Sequence, residues 1–238
     1  MTNLVFIHGF LSGRDYWHKQ KILSKHTNLF FVDLPGFGRA STEKTCTSIA
    51  GFAKSAQMQI DAAGIQQFHL IGHSMGGMIA QELVKQIPDR VEKLILYGTG
   101  PYGNMPGRFE PIETSIAKLN RNTLINDVEN TVASWFLDRD KNHDYPTALE
   151  LASIASFETF RSCLLAMNEW HNEKNLKLIQ QETLVLWGDK DRSYIFDQPY
   201  KLWTDIPESS LAVISNSAHN THLEKPELFN NTLIDFLF

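Results

Sequence analysis

The feature that most limits how this chain can fold is a five-residue turn, Gly72-His73-Ser74-Met75-Gly76, followed directly by Gly77. A short apolar run, residues 68–71, leads into it, and a helical pattern leaves it from Met78. A serine on such a strand-to-helix turn is held in a tight backbone geometry that lifts its hydroxyl to the top of a sheet. The flanking glycines are needed because side chains there would strike the neighbouring strand and helix. From the glycine and serine content, only about 0.05 chance matches to G-x-S-x-G are expected, before the flanking strand and helix are required.

The rest of the chain repeats the same alternation. Residues 4–7, 29–32, 68–71, 94–97, 184–187 and 211–214 are short, nearly continuous apolar runs. Such runs fit a parallel sheet covered on both faces. Helical windows, for example 49–63 and 78–86, lie between them, which implies βαβ units with right-handed crossovers. The rhythm breaks after Pro101, Gly103, Pro106 and Gly107, whose turn chemistry opens an interval without a convincing strand. Helical patterns fill it at 123–137, 147–155 and 158–171. The expected organisation is therefore an α/β core made of residues 1–100 and 181–238, carrying an all-helical insertion, residues 101–180. The strand before His8 starts at residue 4, so six main strands are expected, essentially all parallel, with 29–32 at one edge.

Composition narrows the function classes. A net charge of −5 offers no basic footprint for nucleic acid. No run approaches the roughly 20 apolar residues of a membrane span, and the N-terminus lacks a basic region and a small-residue cleavage site. Two cysteines, Cys46 and Cys163, make no disulfide framework, and two unpaired thiols in a reducing compartment is the expected state. The expectation is a cytoplasmic protein acting on a small molecule.

A serine hydroxyl is a weak nucleophile near neutral pH, so it needs an imidazole to take its proton and a carboxylate to orient that imidazole. Among nine histidines, His219 follows the last strand, in a loop at the sheet edge where active-site groups gather. His222 competes, but its place beside Glu224-Lys225-Pro226, the start of the last helix, suggests a rim residue. The pair also reads as H-x-x-H, although no third ligand stands at zinc-like spacing. For the carboxylate, Trp187-Gly188-Asp189-Lys190-Asp191-Arg192 offers two candidates. Asp189 lies in the turn, where it would satisfy local N–H groups, and Asp191 is far enough along to reach over the edge. Two N–H donors must face the charge that develops on an attacked carbonyl. Met75, directly after the serine, and Phe10, in His8-Gly9-Phe10 after the first strand, are the candidates. His8 reads as a brace for its loop rather than a base.

These motifs, with Asp33-Leu34-Pro35-Gly36-Phe37-Gly38-Arg39-Ala40-Ser41, make the whole chain resemble the α/β-hydrolase superfamily. The resemblance implies an α/β-hydrolase fold with a mainly parallel sheet and an all-helical cap that forms the substrate's apolar pocket. In that family the histidine is followed by Glu at +5 and Pro at +7, which selects His219 over His222. The acid usually closes a G-x-x-D turn, which selects Asp191 over Asp189. The order Ser74, Asp191, His219 is also the family's. Ala218 departs from the usual glycine before the histidine. Of the insertion's apolar residues (Trp135, Phe136, Phe157, Phe160, Leu164, Met167 and Trp170), most are expected in the core, and some facing the serine.

Gly36-Phe37-Gly38 lacks the third glycine of a dinucleotide loop, which Ser41 replaces. No cofactor is implied. The expected activity is hydrolysis of a small carboxylic ester through an acyl-enzyme, by a Ser74–His219–Asp191 triad with Phe10 and Met75 N–H groups holding the oxyanion. Lactone hydrolysis, hydroxynitrile lysis and meta-cleavage carbon–carbon bond hydrolysis use the same frame. The last group shares the Asp191-Arg192 pair, but its members usually carry a longer glycine-rich stretch after His-Gly and Asn before the serine. A ligand sensor on a hydrolase scaffold is the alternative from another class, since fold alone does not fix function. Oligomeric state is not legible in the sequence.

Overall fold

The computed structural model describes residues 2–104 and 110–238. Six strands form one sheet: β1 (Asn3–Ile7), β2 (Asn28–Phe31), β3 (Phe68–His73), β4 (Val91–Tyr97), β5 (Glu182–Gly188) and β6 (Ser209–Ile214). Their order is β2-β1-β3-β4-β5-β6, and every pairing is parallel. The expected six-stranded parallel sheet is present, with the second strand at one edge. The chain crosses outward from β1 to β2 and then returns to place β3 on the other side of β1. The gap between the ends of β1 and β3 is thus a topological switch point, where α/β sheets leave a crevice for ligands.

The apolar runs bury both faces of the sheet. All six residues of β3 are buried. In β1, Val5 and Ile7 pack on one side with Ile79 and Leu83, while Leu4 and Phe6 pack on the other with Trp17, Phe229 and Leu233. Helices α1 (Ile49–Ala62) and α2 (Met75–Gln86) cover the first face. The last helix, Pro226–Leu237, and a segment of 3₁₀ turns, Arg14–Lys25, kinked at Trp17, cover the second. The side chain of Ser48 caps α1 by accepting from the Gly51 N–H at 3.1 Å, which stops the helix fraying at its start. The Arg14–Lys25 segment has no clean 3.6-residue period, so sequence patterning passes over it.

Between β4 and β5 the described residues form α3 (Ile112–Lys118), α4 (Leu124–Ser134), α5 (Tyr145–Ala152) and α6 (Phe157–Asn168). Pro106 and Gly107, two of the expected opening turn residues, lie outside the described residues. Helix α3 was not anticipated, and α6 stops at Asn168, short of the expected 171. The chain there turns into an isolated antiparallel bridge between Tyr102 and His171. Gly103 N–H donates to Trp170 O at 3.0 Å, and Asn172 N–H donates to Pro101 O at 2.8 Å, so the two ends of the interval are tied together. The next helices are α7 (Asp197–Asp205), the short α8 (Thr221–Glu224) and α9 (Pro226–Leu237).

Candidate active site

Ser74 sits between β3 and α2 with φ 56° and ψ −121°. This is a sparsely populated backbone state, and its surroundings over-determine it. Ser74 N–H donates to Tyr97 O at 3.0 Å, while the Thr99 hydroxyl donates to Ser74 O at 2.8 Å. The turn exists because α2 starts hard against β1. A Cβ on Gly76 would lie 2.3 Å from Ile7 O and 2.6 Å from His8 O. Added to Gly72, it would lie 2.2 Å from Gly76 O. Both contacts are with main chain and cannot rotate away, so only glycine fits. Among the described residues neither the Met75 N–H nor the Phe10 N–H has a protein acceptor.

Asp191 and His219 meet as the sequence suggests. His219 Nδ1 and Asp191 Oδ2 are 2.8 Å apart, with both side chains buried. The other carboxylate oxygen, Oδ1, accepts from the Ser193 N–H at 2.7 Å and the Tyr194 N–H at 3.1 Å. Asp191 N–H closes the G-x-x-D turn onto Gly188 O at 3.0 Å. A carboxylate held this way is an acceptor only. The proton therefore sits on His219 Nδ1, and Nε2 carries the free lone pair. Tyr194 stacks on the imidazole at 5.6 Å and 12°.

The competitors are placed elsewhere. Asp189 Oδ2 pairs with Lys190 at 3.2 Å, away from the imidazole. His222 is not a rim residue: it is fully buried. The short helix α8 turns its ring inward against Trp17 and Tyr97. Tyr97 O–H donates to the His219 carbonyl at 2.7 Å. Its oxygen then accepts from the His222 N–H at 3.2 Å and from His222 Nδ1 at 3.1 Å. The two imidazoles thus engage different partners, Asp191 for His219 and Tyr97 for His222. His8 braces its loop as anticipated: Leu34 N–H donates to Nε2 at 3.1 Å, and Nδ1–H donates to Gly9 O at 2.9 Å. Burial pushes its pKa down to about 4.

Four residues, His73, Tyr97, Glu224 and Arg192, have roles at the site that the sequence did not assign. His73 stacks on Tyr97 at 4.4 Å and donates from Nε2 to the His219 carbonyl at 3.1 Å. That carbonyl is therefore held by two side chains from β3 and β4. Burial, reinforced by the nearby imidazoles, holds His73 well below the ordinary histidine range, and burial does the same to His222. Glu224 bridges the histidine loop to the segment after α4, accepting from Ala218 N–H at 2.6 Å and Leu137 N–H at 2.7 Å. Arg192 donates to the carbonyls of Ser134, Phe136 and Leu137 at 3.3, 2.8 and 3.2 Å. Glu224 carried a signal as the +5 glutamate. Tyr97 and Arg192 carried none for these roles.

Ser74, His219, Phe10 and Trp135 line one tight cleft, too narrow in this structure for a water-sized sphere, with Ser12 and Tyr16 at its side. Phe10 is also a wall of a second cavity of about 310 Å³, lined by Ser115, Lys118, Asp127, Phe160 and Leu164 among others. Of the insertion's apolar residues, Trp135 therefore reaches the Ser74 cleft, and Phe160 and Leu164 reach the neighbouring cavity. Phe136 and Met167 are core, as is Trp170, whose Nε1 donates to Glu82 at 2.9 Å.

With this geometry in place, comparison with known proteins decides the family. The alpha/beta hydrolase fold family matches residues 2–226. The chain belongs to the alpha/beta hydrolases. It is 29% identical to a 2-hydroxy-6-oxononadienedioate/2-hydroxy-6-oxononatrienedioate hydrolase of Comamonas testosteroni, across 98% of this chain and 87% of that one. It is 26% identical to a 2-hydroxy-6-oxo-6-phenylhexa-2,4-dienoate hydrolase of Burkholderia cepacia, with the same coverage of 98% and 87%. Among solved structures, a bromoperoxidase from Bacillus anthracis superposes with a TM-score of 0.91 at 23% identity, covering 99% of this chain and 91% of that one. An enol-lactonase from Burkholderia xenovorans LB400 gives 0.87 at 20% identity, with coverage of 99% and 91%. At these identities the structural matches speak for the fold alone. Among the described residues, no helix of this alpha/beta hydrolase is long and apolar enough to cross a membrane.

Proposed function

We propose that the protein is a serine hydrolase that cleaves a small carboxylic ester through an acyl-enzyme. The observation that carries this reading is the 2.8 Å Asp191–His219 contact on the wall of the cleft that holds Ser74. In this reading Ser74 Oγ attacks the ester carbonyl while its proton passes to His219 Nε2. The imidazolium is stabilised by Asp191, which also keeps the proton on Nδ1. The Phe10 and Met75 N–H groups receive the oxyanion; both lack acceptors among the described residues, and a preorganised donor of this kind is worth about 3 kcal/mol of barrier. Nε2–H then protonates the departing alkoxide, which leaves as the alcohol. A water next loses a proton to Nε2 and attacks the acyl carbon, and collapse frees the acid and restores Ser74.

The same reading treats residues 101–180 as a helical cap over a core of residues 1–100 and 181–238. Support comes from Trp135 and Phe160, which line the two cavities beside the site. A reducing, cytoplasmic setting fits the two free thiols of Cys46 and Cys163.

The names of the sequence relatives favour a second reading, hydrolysis of a carbon–carbon bond in a dienoate. Arg192, the residue after Asp191 that these enzymes share, argues against a direct carboxylate clamp here. Its guanidinium is spent on three main-chain carbonyls. His73 stands where that group usually has Asn.

Two measurements test the proposal. Intact mass after fluorophosphonate treatment should show one adduct on the wild type and none on Ser74→Ala; an unlabelled wild type removes the serine mechanism. Turnover should then be compared on p-nitrophenyl esters, lactones and a 2-hydroxy-6-oxo-dienoate. Activity on the dienoate alone replaces the ester reading with the carbon–carbon one.

A further inference from the structure

Ser74 follows β3 and His219 follows β6, and two strands, β4 and β5, lie between them in the sheet. Pairing between neighbouring strands therefore does not set the distance from nucleophile to base directly. The loops of Asp191 and His219 are tied to each other, by the 2.8 Å side-chain contact and by Lys190 N–H donating to Ser217 O at 3.0 Å. Those bonds fix the acid–base pair internally. They leave open how the pair as a whole is placed against Ser74.

Tyr97, the last residue of β4, spans that gap. Its carbonyl accepts from the Ser74 N–H at 3.0 Å, and its hydroxyl donates to the His219 carbonyl at 2.7 Å. One residue thus grips the main chain of both reacting groups. The direction of the hydroxyl is also determined. Its oxygen accepts from the His222 N–H at 3.2 Å and from Nδ1–H at 3.1 Å, which occupies both lone pairs and leaves the proton for His219 O. The ring itself is fully buried, stacked on His73 at 4.4 Å and set against Phe229 at 4.9 Å. Phenylalanine would pack as well and bring no hydroxyl to satisfy, so packing alone does not call for tyrosine here. His73 supplies the second tie to the same carbonyl, but at 3.1 Å. Transfer of the serine proton needs hydrogen-bond distance to the imidazole, and a misplacement of about 1 Å can cost on the order of 100-fold in rate.

We propose that Tyr97 is a positioning residue that sets the distance between Ser74 and His219, its carbonyl holding the nucleophile and its hydroxyl the base. This rests on the serine-hydrolase reading and goes beyond it.

The test is Tyr97→Phe, which removes the hydroxyl and keeps both the ring and the carbonyl. With p-nitrophenyl acetate, kcat should fall about 10- to 100-fold while KM changes less than twofold. The rate of fluorophosphonate labelling should fall by a similar factor, because it depends on the same proton transfer. Two His222 donors lose their acceptor, so the melting temperature should drop by about 3–8 °C, and the assays are run below the onset of melting. The decisive comparison adds Tyr97→Phe to His219→Ala. With no imidazole left to position, residual turnover should change less than twofold. Replacing Tyr97 with 4-aminophenylalanine, which keeps a donor, should restore kcat to within about tenfold of wild type. If Tyr97→Phe does not fold, the amino variant is compared in the wild-type and His219→Ala backgrounds in its place. Wild-type kcat in Tyr97→Phe would overturn the proposal. So would a loss of the same size in the His219→Ala background, or a loss confined to KM. Failure of the serine reading is separate and visible, since the wild type would then take no fluorophosphonate label.

Discussion

The loops at the ends of β1, β3, β5 and β6 and the helices between β4 and β5 contribute to the same cleft by different physical means. In the loops, position is set by main chain. Ser74 is held by its N–H to Tyr97 O and by two bonds to its carbonyl, from the Thr99 hydroxyl and Gly77 N–H. Asp191 is held by two N–H donors, and the His219 carbonyl is pinned by Tyr97 and His73. The helices approach the cleft and its neighbouring cavity with rings, Trp135 and Phe160, and with surface ion pairs such as Lys118–Glu110 at 2.6 Å. A main-chain constraint fixes an atom to a fraction of an ångström, whereas a packed ring fixes a shape. Substitutions in the loops should therefore act on kcat by orders of magnitude, and those in the helices on KM by small factors.

The largest effects should come from the proposed reacting groups. Ser74→Ala should lower kcat on the order of 10⁵-fold, and Asp191→Asn about 10⁴-fold through loss of the Nδ1–H tautomer. Both should melt within a few degrees of wild type. If Asp191→Asn retained more than a tenth of wild-type kcat, the loops would not be the seat of chemistry and the contrast would collapse.

Gly76→Ala separates placement from chemistry. The new methyl meets the carbonyl oxygens of Ile7, the last residue of β1, and His8 just after it, so either α2 or the end of β1 must move. The loss should be several kcal/mol, at the upper end for single substitutions, and should appear as a fall in melting temperature of about 10 °C or more. Wild-type stability in this variant would mean that the turn is softer than its contacts imply.

These two predictions also mark what could be read from sequence. Constraints on main chain demand particular residue types, so Gly72, Gly76, Gly188 and the +5 Glu224 left visible traces. The same holds for the six strands, because burial on both faces requires unbroken apolar runs. The roles of Tyr97, His73 and Arg192 left no trace. Tyr97 looks like one more apolar residue at a strand end, and its function depends on a loop more than a hundred residues away. His222 was misplaced for the same reason, since nothing local says that α8 turns its ring inward. In the helical interval the periodicity revealed helices but not which rings face the cleft, because core and pocket faces share one spacing.

The buried histidines predict how the frame responds to acid. His8, His73 and His222 all titrate below the ordinary value of 6.5 because burial disfavours their charged forms. Below pH 6.5 the unfolded chain takes up protons that the folded one refuses, so stability is full above that pH and falls as the pH drops towards the folded values. Three such groups should remove about 3 kcal/mol between pH 6.5 and 5.5. Urea midpoints measured at the two values should differ accordingly. A flat profile would mean that these imidazoles are accessible to protons in the folded state, and that the frame around His219 is looser than its hydrogen bonds suggest.

The smallest expected effect tests the helical side directly. Lys118 lines the 310 Å³ cavity beyond Phe10, yet its side chain is 65% exposed and its partner Glu110 is a neighbour on the same surface. Exposed pairs of this kind contribute little to stability, so Lys118→Ala should shift the melting temperature by no more than about 2 °C. If the cavity receives the alcohol half of the ester, removing the cation should raise KM about two- to fivefold for an alcohol bearing a carboxylate, and leave a methyl ester and kcat unchanged. A matched drop in kcat for both esters would show that the cavity communicates with Ser74 through the Phe10–Phe160 ring contact, whose centroids lie 4.9 Å apart. Shape and chemistry would then be coupled across Phe10, and the division between the two regions would have to be redrawn at that residue.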